Sequence, residues 1–182
     1  MKKKRVFMGS AQQPHQVILF FAITYDPSFD INEILEILDQ KFGKRDKTFG
    51  PVAFSWTEYY QQEMGSNLKK LYCTCSDLIN REKLAEIKNF TNQLESSFAR
   101  EGKRRVNIDP GYVARDKFVL ASTKDFFHRI YIGDGIFAEV TLHYRKGRYR
   151  FFSWTYPDFR DPAFQKFLET VRAPLVKGLR NE

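Results

Sequence analysis

The chain has 182 residues, of which 42% are hydrophobic and 16% aromatic, and it carries a formal net charge of +8 at pH 7. This composition can supply a hydrophobic core, which argues against disorder over any long stretch. No apolar run approaches the roughly 18 residues of a membrane-spanning helix, so we expect no membrane partner and one domain over residues 1–182, with residues 1–15 as a flexible basic segment.

The first half of the chain predicts the element order β-α-β-β-α. The segment "QVILFFAITY" (residues 16–25) is continuously apolar, as in a central strand buried on both faces. Asp30 and Gly43 bracket a helix whose apolar residues repeat at helical spacing. Two strands follow in "PVAFSWTEYY" and "LKKLYCTCSDL", and Asn80 is expected to cap a second long helix.

This order, followed by a strand in "RRVNI" or "KFVLAST", predicts an α+β fold in which an antiparallel sheet has a ferredoxin-like βαββαβ core. The later segments "KFVLAST", "HRIYIGDGIFAEVTLHY" and "RYRFFSWT" predict a C-terminal β-meander that extends this sheet. A final helix begins in "DPAFQKFLETVR", with Asp161 as N-cap and Pro162 at its first position. Pro174 is expected to end or kink this helix.

The hairpin over residues 128–144 has one apolar side and one charged side. A three-residue loop at 133–135 places Arg129 directly opposite Glu139, whereas a two-residue loop would mix the two sides. We therefore expect the isoleucines and His128 to face the core and the Arg129–Glu139 pair to face outward. The pair is either a structural ion pair or the wall of a groove in which Arg129 holds a phosphate or carboxylate.

Three further segments combine polar with turn-forming or aromatic residues. In "NIDPG", Asn107 and Asp109 either brace a turn or present side chains to a ligand or cation. In "ASTKD", Lys124 and its hydroxyl neighbours can hold an anion or cap a turn. In "SWTYPDFRDP", aromatic rings and Arg160 can stack on bases or pack under a loop.

The cysteines and the basic residues bound the class of protein. Cys73 and Cys75 form a Cys-x-Cys pair without a second Cys or His cluster, so we expect buried structural thiols and no metal site. Few thiols and no recognisable export signal favour the cytoplasm. Basic residues cluster in "MKKKR", "KRR" (residues 103–105), "RKGRYR" (residues 145–150) and the tail around Lys177 and Arg180. Such clusters either attract polyanions or keep a surface solvated. A phosphate-binding P-loop motif is absent.

The segments "TEYYQQEMG", "NIDPGY", "LASTKDFFHRIY", "GIFAEVTL" and "WTYPDFR" together resemble an uncharacterised prokaryotic domain family of unknown function, DUF4416, over nearly the whole chain. The last motif of that family usually ends in Asp-Tyr-Arg, and Phe159 replaces the tyrosine here, which removes a hydroxyl. The resemblance implies no established activity or cofactor. It implies that the following residues match motif positions: Glu63, Asn107, Asp109, Lys124, Asp125, His128, Arg129, Glu139, Asp158 and Arg160.

The favoured hypothesis is a non-catalytic binding module for an anionic ligand, such as a nucleotide, RNA or another phosphorylated molecule, held in a polar groove of the sheet. The residues expected to bind the ligand are Asn107, Asp109, Lys124, Arg129, Tyr131, Glu139, Thr141, Trp154, Tyr156, Asp158 and Arg160. A second hypothesis is a small enzyme acting on a phosphorylated or carboxylated substrate, with Glu139 or Asp109 as general base and His128 as a further catalytic candidate. A third is a structural or partner-binding domain, possible as a homodimer.

Overall fold

The computed structural model describes residues 9–56 and 61–177, which form an α+β fold around an eight-stranded antiparallel sheet. The strands are β1 (Val17–Tyr25), β2 (Arg45–Ala53), β3 (Lys69–Ile79), β4 (Val106–Val113), β5 (Lys117–Ser122), β6 (Arg129–Gly133), β7 (Ile136–Arg145) and β8 (Arg148–Phe151). The helices are α1 (Ile31–Phe42), α2 (Gln61–Met64), α3 (Leu84–Ser97), α4 (Pro157–Arg160) and α5 (Pro162–Lys177). The strand order is β2-β3-β1-β4-β5-β7-β6, and β8 pairs with β7.

Helices cover both faces of the sheet, so β1 is buried along its whole length as its apolar run predicts. Alternate residues of a strand point to opposite faces. Phe21 therefore packs in a core with residues of α1 and α3, while Phe20 packs in a second core with residues of α5. The two faces of the sheet thus belong to two different hydrophobic layers.

Both predicted helix caps at Asp30 and Asp161 are confirmed. The Asp30 carboxylate accepts a hydrogen bond from the Asn32 amide at 3.0 Å, and the Asp161 carboxylate accepts one from the Ala163 amide at 2.7 Å. These bonds satisfy backbone donors that have no partner within the first helical turn. Pro174 lies inside α5 rather than at its end.

Two element boundaries in the first half of the chain differ from the prediction. The second strand starts at Arg45 rather than near residue 51, and residues 57–60 of the predicted segment lie outside the described residues. Asn80 makes no capping hydrogen bond, and a short 3₁₀ helix over Arg81–Lys83 precedes α3. The side-chain oxygen of Asn80 accepts a hydrogen bond from the Gln16 side chain instead. The predicted N-terminal basic segment also falls mostly outside the described residues, since these begin at residue 9.

The predicted turn at Asp109-Pro110-Gly111 is wrong, because these residues lie within β4. β4 pairs with β1 along its full length but with β5 only from Gly111 to Val113. Pro110 has no N–H to donate to a ladder, and the pairing with β5 begins at the next residue. The amino-terminal half of β4 therefore separates from β5 and leaves a split in the sheet.

The hairpin confirms the predicted pairing of Arg129 with Glu139 but reverses the predicted sides. The turn has two residues rather than the predicted three, since Gly133 pairs with Ile136, and a bulge at Ile132 restores the pairing of Arg129 with Glu139. Ile130 is 71% exposed. Arg129 and Glu139 point inward, where their side chains are 6% and 4% exposed. The reason is tertiary: β6 is the outermost strand, and the layer formed by α3 buries Ile136 of β7 without burying Ile130.

The two cysteines are free and buried, as predicted. Burial raises the pKa of the Cys73 and Cys75 thiols to about 12, so both stay protonated and unreactive at neutral pH. Among the described residues, no helix has the length and apolar character needed to cross a bilayer.

Candidate functional site

A pocket with a cavity volume of about 160 Å³ lies at the split in the sheet. Side chains from β3, α3, β4, β7 and α4, and from the segment that joins β5 to β6, reach it. Its charged lining residues are Lys70, Lys88, Glu95, Arg104, Asp109, Lys124, Arg129, Glu139 and Asp158. Five cations and four carboxylates therefore surround one small cavity.

The deepest part of the pocket is an ion cluster around Lys88 of α3. The Lys88 ammonium lies 3.2 Å from Asp109 Oδ1 and 3.8 Å from Glu95 Oε1, and it donates a hydrogen bond to the Ile108 carbonyl at 2.8 Å. Glu95 Oε1 also accepts a hydrogen bond from the Ile108 amide. Lys88 and Glu95 are almost completely buried, so these contacts replace the water that both charges lose.

The pKa values of the two acidic groups in this cluster, Glu95 and Asp109, are shifted in opposite directions. Burial raises the pKa of Glu95, although Lys88 and the Ile108 amide oppose the change. Burial also acts to raise the pKa of Asp109, but the positive charges of Lys88 and Lys70 outweigh it and leave that pKa below its usual value. Of these two carboxylates, Asp109 is consequently the one that the cluster holds in its charged form.

Arg104 connects this cluster to the mouth of the pocket. Its guanidinium donates two hydrogen bonds of 2.7 Å to Glu63, one to Glu95 and one of 3.1 Å to Asn107 Oδ1. Asn107 then donates to Asp109 Oδ2 at 2.8 Å. Asn107 and Asp109 therefore join Arg104 to the ion cluster as neighbours on one face of β4, and they do not brace a turn.

Glu139 of β7 forms the second polar cluster. Its Oε2 lies 3.0 Å from both Arg129 Nε and His128 Nε2, and its Oε1 accepts a hydrogen bond from the Thr141 hydroxyl. Arg129 donates further to the Ser122 hydroxyl and the Lys124 carbonyl. This cluster ties the segment between β5 and β6 to the sheet, which places Lys124 at the cavity.

A buried ion pair closes the third side of the pocket. Lys70 Nζ lies 2.6 Å from Asp158 Oδ2, and the Tyr72 hydroxyl donates to the same oxygen at 3.1 Å. The Lys70 ammonium lies 4.8 Å from the ring centroid of Phe54 and 4.9 Å from that of Phe159. The pair joins β3 to α4 and so places Asp158 and Tyr156 at the cavity.

The structure brings most, but not all, of the predicted site residues together. Those that line the pocket are Asn107, Asp109, Lys124, Arg129, Glu139, Tyr156 and Asp158. Thr141 and His128 contact Glu139 from outside the cavity. The other three predicted residues are not among those that line the pocket. Trp154 stacks on His128, and Tyr131 of the outer strand β6 contacts Phe137 of β7. Arg160 donates to the backbone carbonyls of Thr155 and Ser153. The expectation that His128 faces the apolar core is wrong, since it meets Glu139.

Four charged pocket residues were not predicted, namely Lys70, Lys88, Glu95 and Arg104. A signal for two of them exists on α3. Leu84, Lys88, Thr91 and Glu95 are spaced by four, three and four residues, so they share one helical face with buried neighbours. A lysine and a glutamate on such a face indicate a buried ion pair, whereas nothing local marks Arg104 among its basic neighbours.

Comparison with family models identifies a domain family. The model of a domain of unknown function, DUF4416, covers residues 15–174. The chain belongs to the DUF4416 family. Neither the curated proteins nor the solved structures contain a match. The DUF4416 match spans every charged residue of the pocket, and motif segments that are far apart in the chain meet there.

The DUF4416 pocket contains carboxylates, but their arrangement does not form a recognised metal centre. In residues 9–56 and 61–177, no group of three or more His, Cys, Asp or Glu side chains is placed to hold a metal ion. Each of Glu95, Asp109, Glu139 and Asp158 instead contacts a lysine, arginine or histidine. The sequence indicated no particular cofactor, and the pocket identifies none.

The Glu63–Arg104 pair of this DUF4416 chain predicts a pH-dependent stability. Hydrogen bonds from Arg104 hold the pKa of Glu63 below its ordinary value of 4.5. The pair therefore stabilises the fold above pH 4.5, and this contribution is lost as the pH falls through the lowered pKa. We expect Glu63→Gln to lower the free energy of unfolding at pH 7 by about 1 kcal/mol or less, because the pair is partly exposed.

Urea titrations of both proteins between pH 7 and pH 3 measure this effect. The difference between wild type and Glu63→Gln should disappear at the acidic end, where Glu63 becomes neutral. A difference that stays constant over the whole range would contradict the ion pair. Glu36→Gln, at an exposed position of α1, is the control and should leave the profile unchanged.

Proposed function

We propose that the pocket binds a small anionic molecule that carries a phosphate or a carboxylate, and that it does so without chemistry. One observation carries the proposal: Lys70, Lys88, Arg104, Lys124 and Arg129 converge on a single cavity. The four carboxylates beside them are engaged by these cations or by neighbouring donors. An entering anion therefore meets a cavity whose lining has one more positive than negative group.

The size of the cavity narrows the class of ligand. Its volume of about 160 Å³ is smaller than the roughly 300–1,000 Å³ of typical drug-sized ligand sites. A phosphorylated or carboxylated metabolite, or the phosphate end of a nucleotide, fits this volume better than an RNA segment does. Tyr156 lines the pocket and is 53% exposed, so its ring is available to pack on an apolar or aromatic part of the ligand.

The geometry gives the enzyme hypothesis less support than the binding hypothesis. A general base needs a carboxylate that can accept a proton from the substrate. Glu139 already accepts hydrogen bonds from Arg129 and Thr141 and contacts His128. Asp109 is held charged by Lys88, which makes it a weak base. These contacts favour positioning roles for both residues.

Lys124→Gln tests the proposed binding. Native mass spectrometry of the purified protein first identifies retained ligands, and calorimetry then measures binding of inorganic phosphate, phosphomonoesters and small carboxylates. We expect at least one of these anions to bind, and Lys124→Gln to weaken that binding about tenfold, because one charge-assisted contact contributes roughly 1.4 kcal/mol.

Lys166→Gln is the matched control, since it removes the same charge at an exposed position of α5. It should leave anion affinity unchanged. If none of the anions binds the wild-type protein, or if both variants weaken binding equally, the pocket is not an anion site.

A second candidate function is association of two copies through β6, in line with the predicted homodimer. β6 is an outer strand of the sheet, and Ile130, Tyr131 and Ile132 are 71%, 59% and 38% exposed on it. An exposed edge with large apolar side chains can pair with a second chain. Light scattering after size exclusion distinguishes a dimer from a monomer.

We also propose that the first four strands with α1 and α3 form a ferredoxin-like unit. Their order β2-β3-β1-β4, their antiparallel pairing and the packing of both helices in one core support this assignment. The later strands extend the sheet beyond β4.

We further propose a cytoplasmic location, since two free buried thiols suit a reducing compartment.

A further inference from the structure

A row of basic side chains crosses three strands on the face of the sheet opposite α5. Lys117 of β5 pairs with His143 of β7, which in turn pairs with Arg150 of β8. Arg145 and Arg148 are direct partners in the next row of the β7–β8 hairpin. Directly paired residues of neighbouring strands share a face, so these five side chains lie on one surface, which we call the basic face.

The strand neighbours of these residues point the other way. They pack in the core beneath α5 and are Phe118, Leu142 and Tyr149. On the side of the basic face, α3 packs farther along the sheet, against Val119 and Ile136. The hairpin end of this face is exposed at Arg145, Lys146 and Arg148.

The like charges of the basic face destabilise the sheet locally. Like charges directly opposite each other on paired strands destabilise a sheet, and Arg145 and Arg148 are such a pair. Lys117 has the exposed Asp116 as a neighbour at 3.5 Å. In the part of the chain that the structure describes, no carboxylate forms an ion pair with Arg145, Arg148 or Arg150. Their charge is therefore available to an external anion.

A stack of rings continues from the basic face along the edge of β7. The ring centroids of His143 and Phe152 are 4.9 Å apart. Phe152 stacks on Trp154 with a centroid distance of 4.6 Å and an interplanar angle of 3°, and Trp154 stacks on His128 with a centroid distance of 5.1 Å. Phe127 meets Trp154 edge-on at the far end and is 91% exposed. Cationic groups and an exposed aromatic ring therefore lie along one line.

We propose that this line binds single-stranded nucleic acid, with phosphates on the basic face and a base against Phe127. Proteins that bind single strands combine a basic track for the backbone with aromatic rings on which bases stack. Side chains two residues apart in a strand are about 6.8 Å apart, and neighbouring strands about 4.8 Å, so the cations form an array rather than one anion hole. This site differs from the pocket, which it borders where His128 contacts Glu139, and a polymer does not fit the small cavity.

The residues of the basic face argue against a membrane surface as its partner. Peripheral membrane binding combines basic residues with apolar side chains on the same face, which insert among the lipids. The residues of the basic face pair with one another across the strands and are all basic: Lys117, His143, Arg145, Arg148 and Arg150. The exposed Phe127 lies at the far end of the ring stack and not among them. A charged polymer matches this surface better than a bilayer does.

Fluorescence anisotropy with a labelled single-stranded RNA 12-mer of mixed sequence, titrated from 50 to 200 mM KCl, tests the proposal. We expect Arg145→Gln/Arg148→Gln to weaken binding about tenfold and to reduce the slope of log K against log salt by about 1.4, because two phosphate contacts are lost. Phe127→Ala should weaken binding about fivefold or more without changing the slope, because stacking involves no counterion release.

Lys44→Gln/Lys166→Gln is the control, because it removes two exposed charges, one beside β2 at the other end of the sheet and one on α5. It should bind RNA as the wild type does. The proposal is overturned if wild-type protein does not bind RNA at 50 mM KCl, or if the two glutamine double variants bind equally. Binding to phosphatidylserine vesicles but not to RNA would equally overturn it.

Discussion

We expect Asp158→Ala to lower the free energy of unfolding by about 3–5 kcal/mol, because it leaves the Lys70 ammonium buried without its partner. Lys70 and Asp158 are each only 5% exposed, and their 2.6 Å contact joins β3 to α4. The surrounding Phe54, Tyr72 and Phe159 rings give the ammonium cation–π contacts. These contacts do not replace a carboxylate in an environment that excludes water.

A double-mutant cycle measured by urea unfolding tests this expectation. Lys70→Met alone should cost less than Asp158→Ala, since Tyr72 still donates to Asp158. The double variant Lys70→Met/Asp158→Ala should lose clearly less than the sum of the two single variants, because it leaves neither charge buried without its partner. Additive losses would show that the two charges do not interact across β3 and α4.

Gly111→Ala should destabilise the fold by about 3 kcal/mol, at the upper end of the usual cost of overpacking. A Cβ atom at Gly111 would lie 2.2 Å from the carbonyl oxygen of Val119 and 2.8 Å from a methyl of Leu120. The first of these atoms is backbone, so β4 and β5 would have to separate. For a protein of this size the loss corresponds to a fall in Tm of roughly 6–12 °C.

Differential scanning calorimetry measures this change, and Gly9→Ala is the control. An added Cβ at Gly9 meets nothing within 4 Å, so its Tm should equal that of the wild type. If Gly111→Ala also melted at the wild-type temperature, β4 and β5 would not approach each other as closely as the structure shows. The variant also bears on the pocket, because Gly111 begins the paired part of β4 beside the split.

Asp158 and Gly111, the sites of these two variants, both border the split in the sheet that forms the pocket. Gly111 brings β4 and β5 into contact at one end, while Pro110 marks the point where their pairing stops. The space that opens beyond it fills with charged side chains rather than apolar ones, and the Lys70–Asp158 pair closes it from α4. The same interruption that weakens the sheet locally thus makes room for the pocket.

Local rules determined the parts of this protein that the sequence predicted well. The cap at Asp30, the cap at Asp161 and the apolar run of β1 each follow from neighbours within a few residues. The pairing of Arg129 with Glu139 agrees with the prediction, but a two-residue turn with a bulge at Ile132 produces it rather than the predicted three-residue loop. The resemblance of the motif segments to DUF4416 is confirmed by the family model that matches residues 15–174.

The tertiary structure alone decided which way the polar groups face and which of them meet. Asp109 lies in a strand rather than a turn because β1 pairs with β4 there. Glu139 is buried rather than exposed because β6 carries the open edge of the sheet. Arg104 reaches Glu63 across 41 residues. Such contacts depend on the relative placement of distant elements, and periodicity within one element contains no information about that placement.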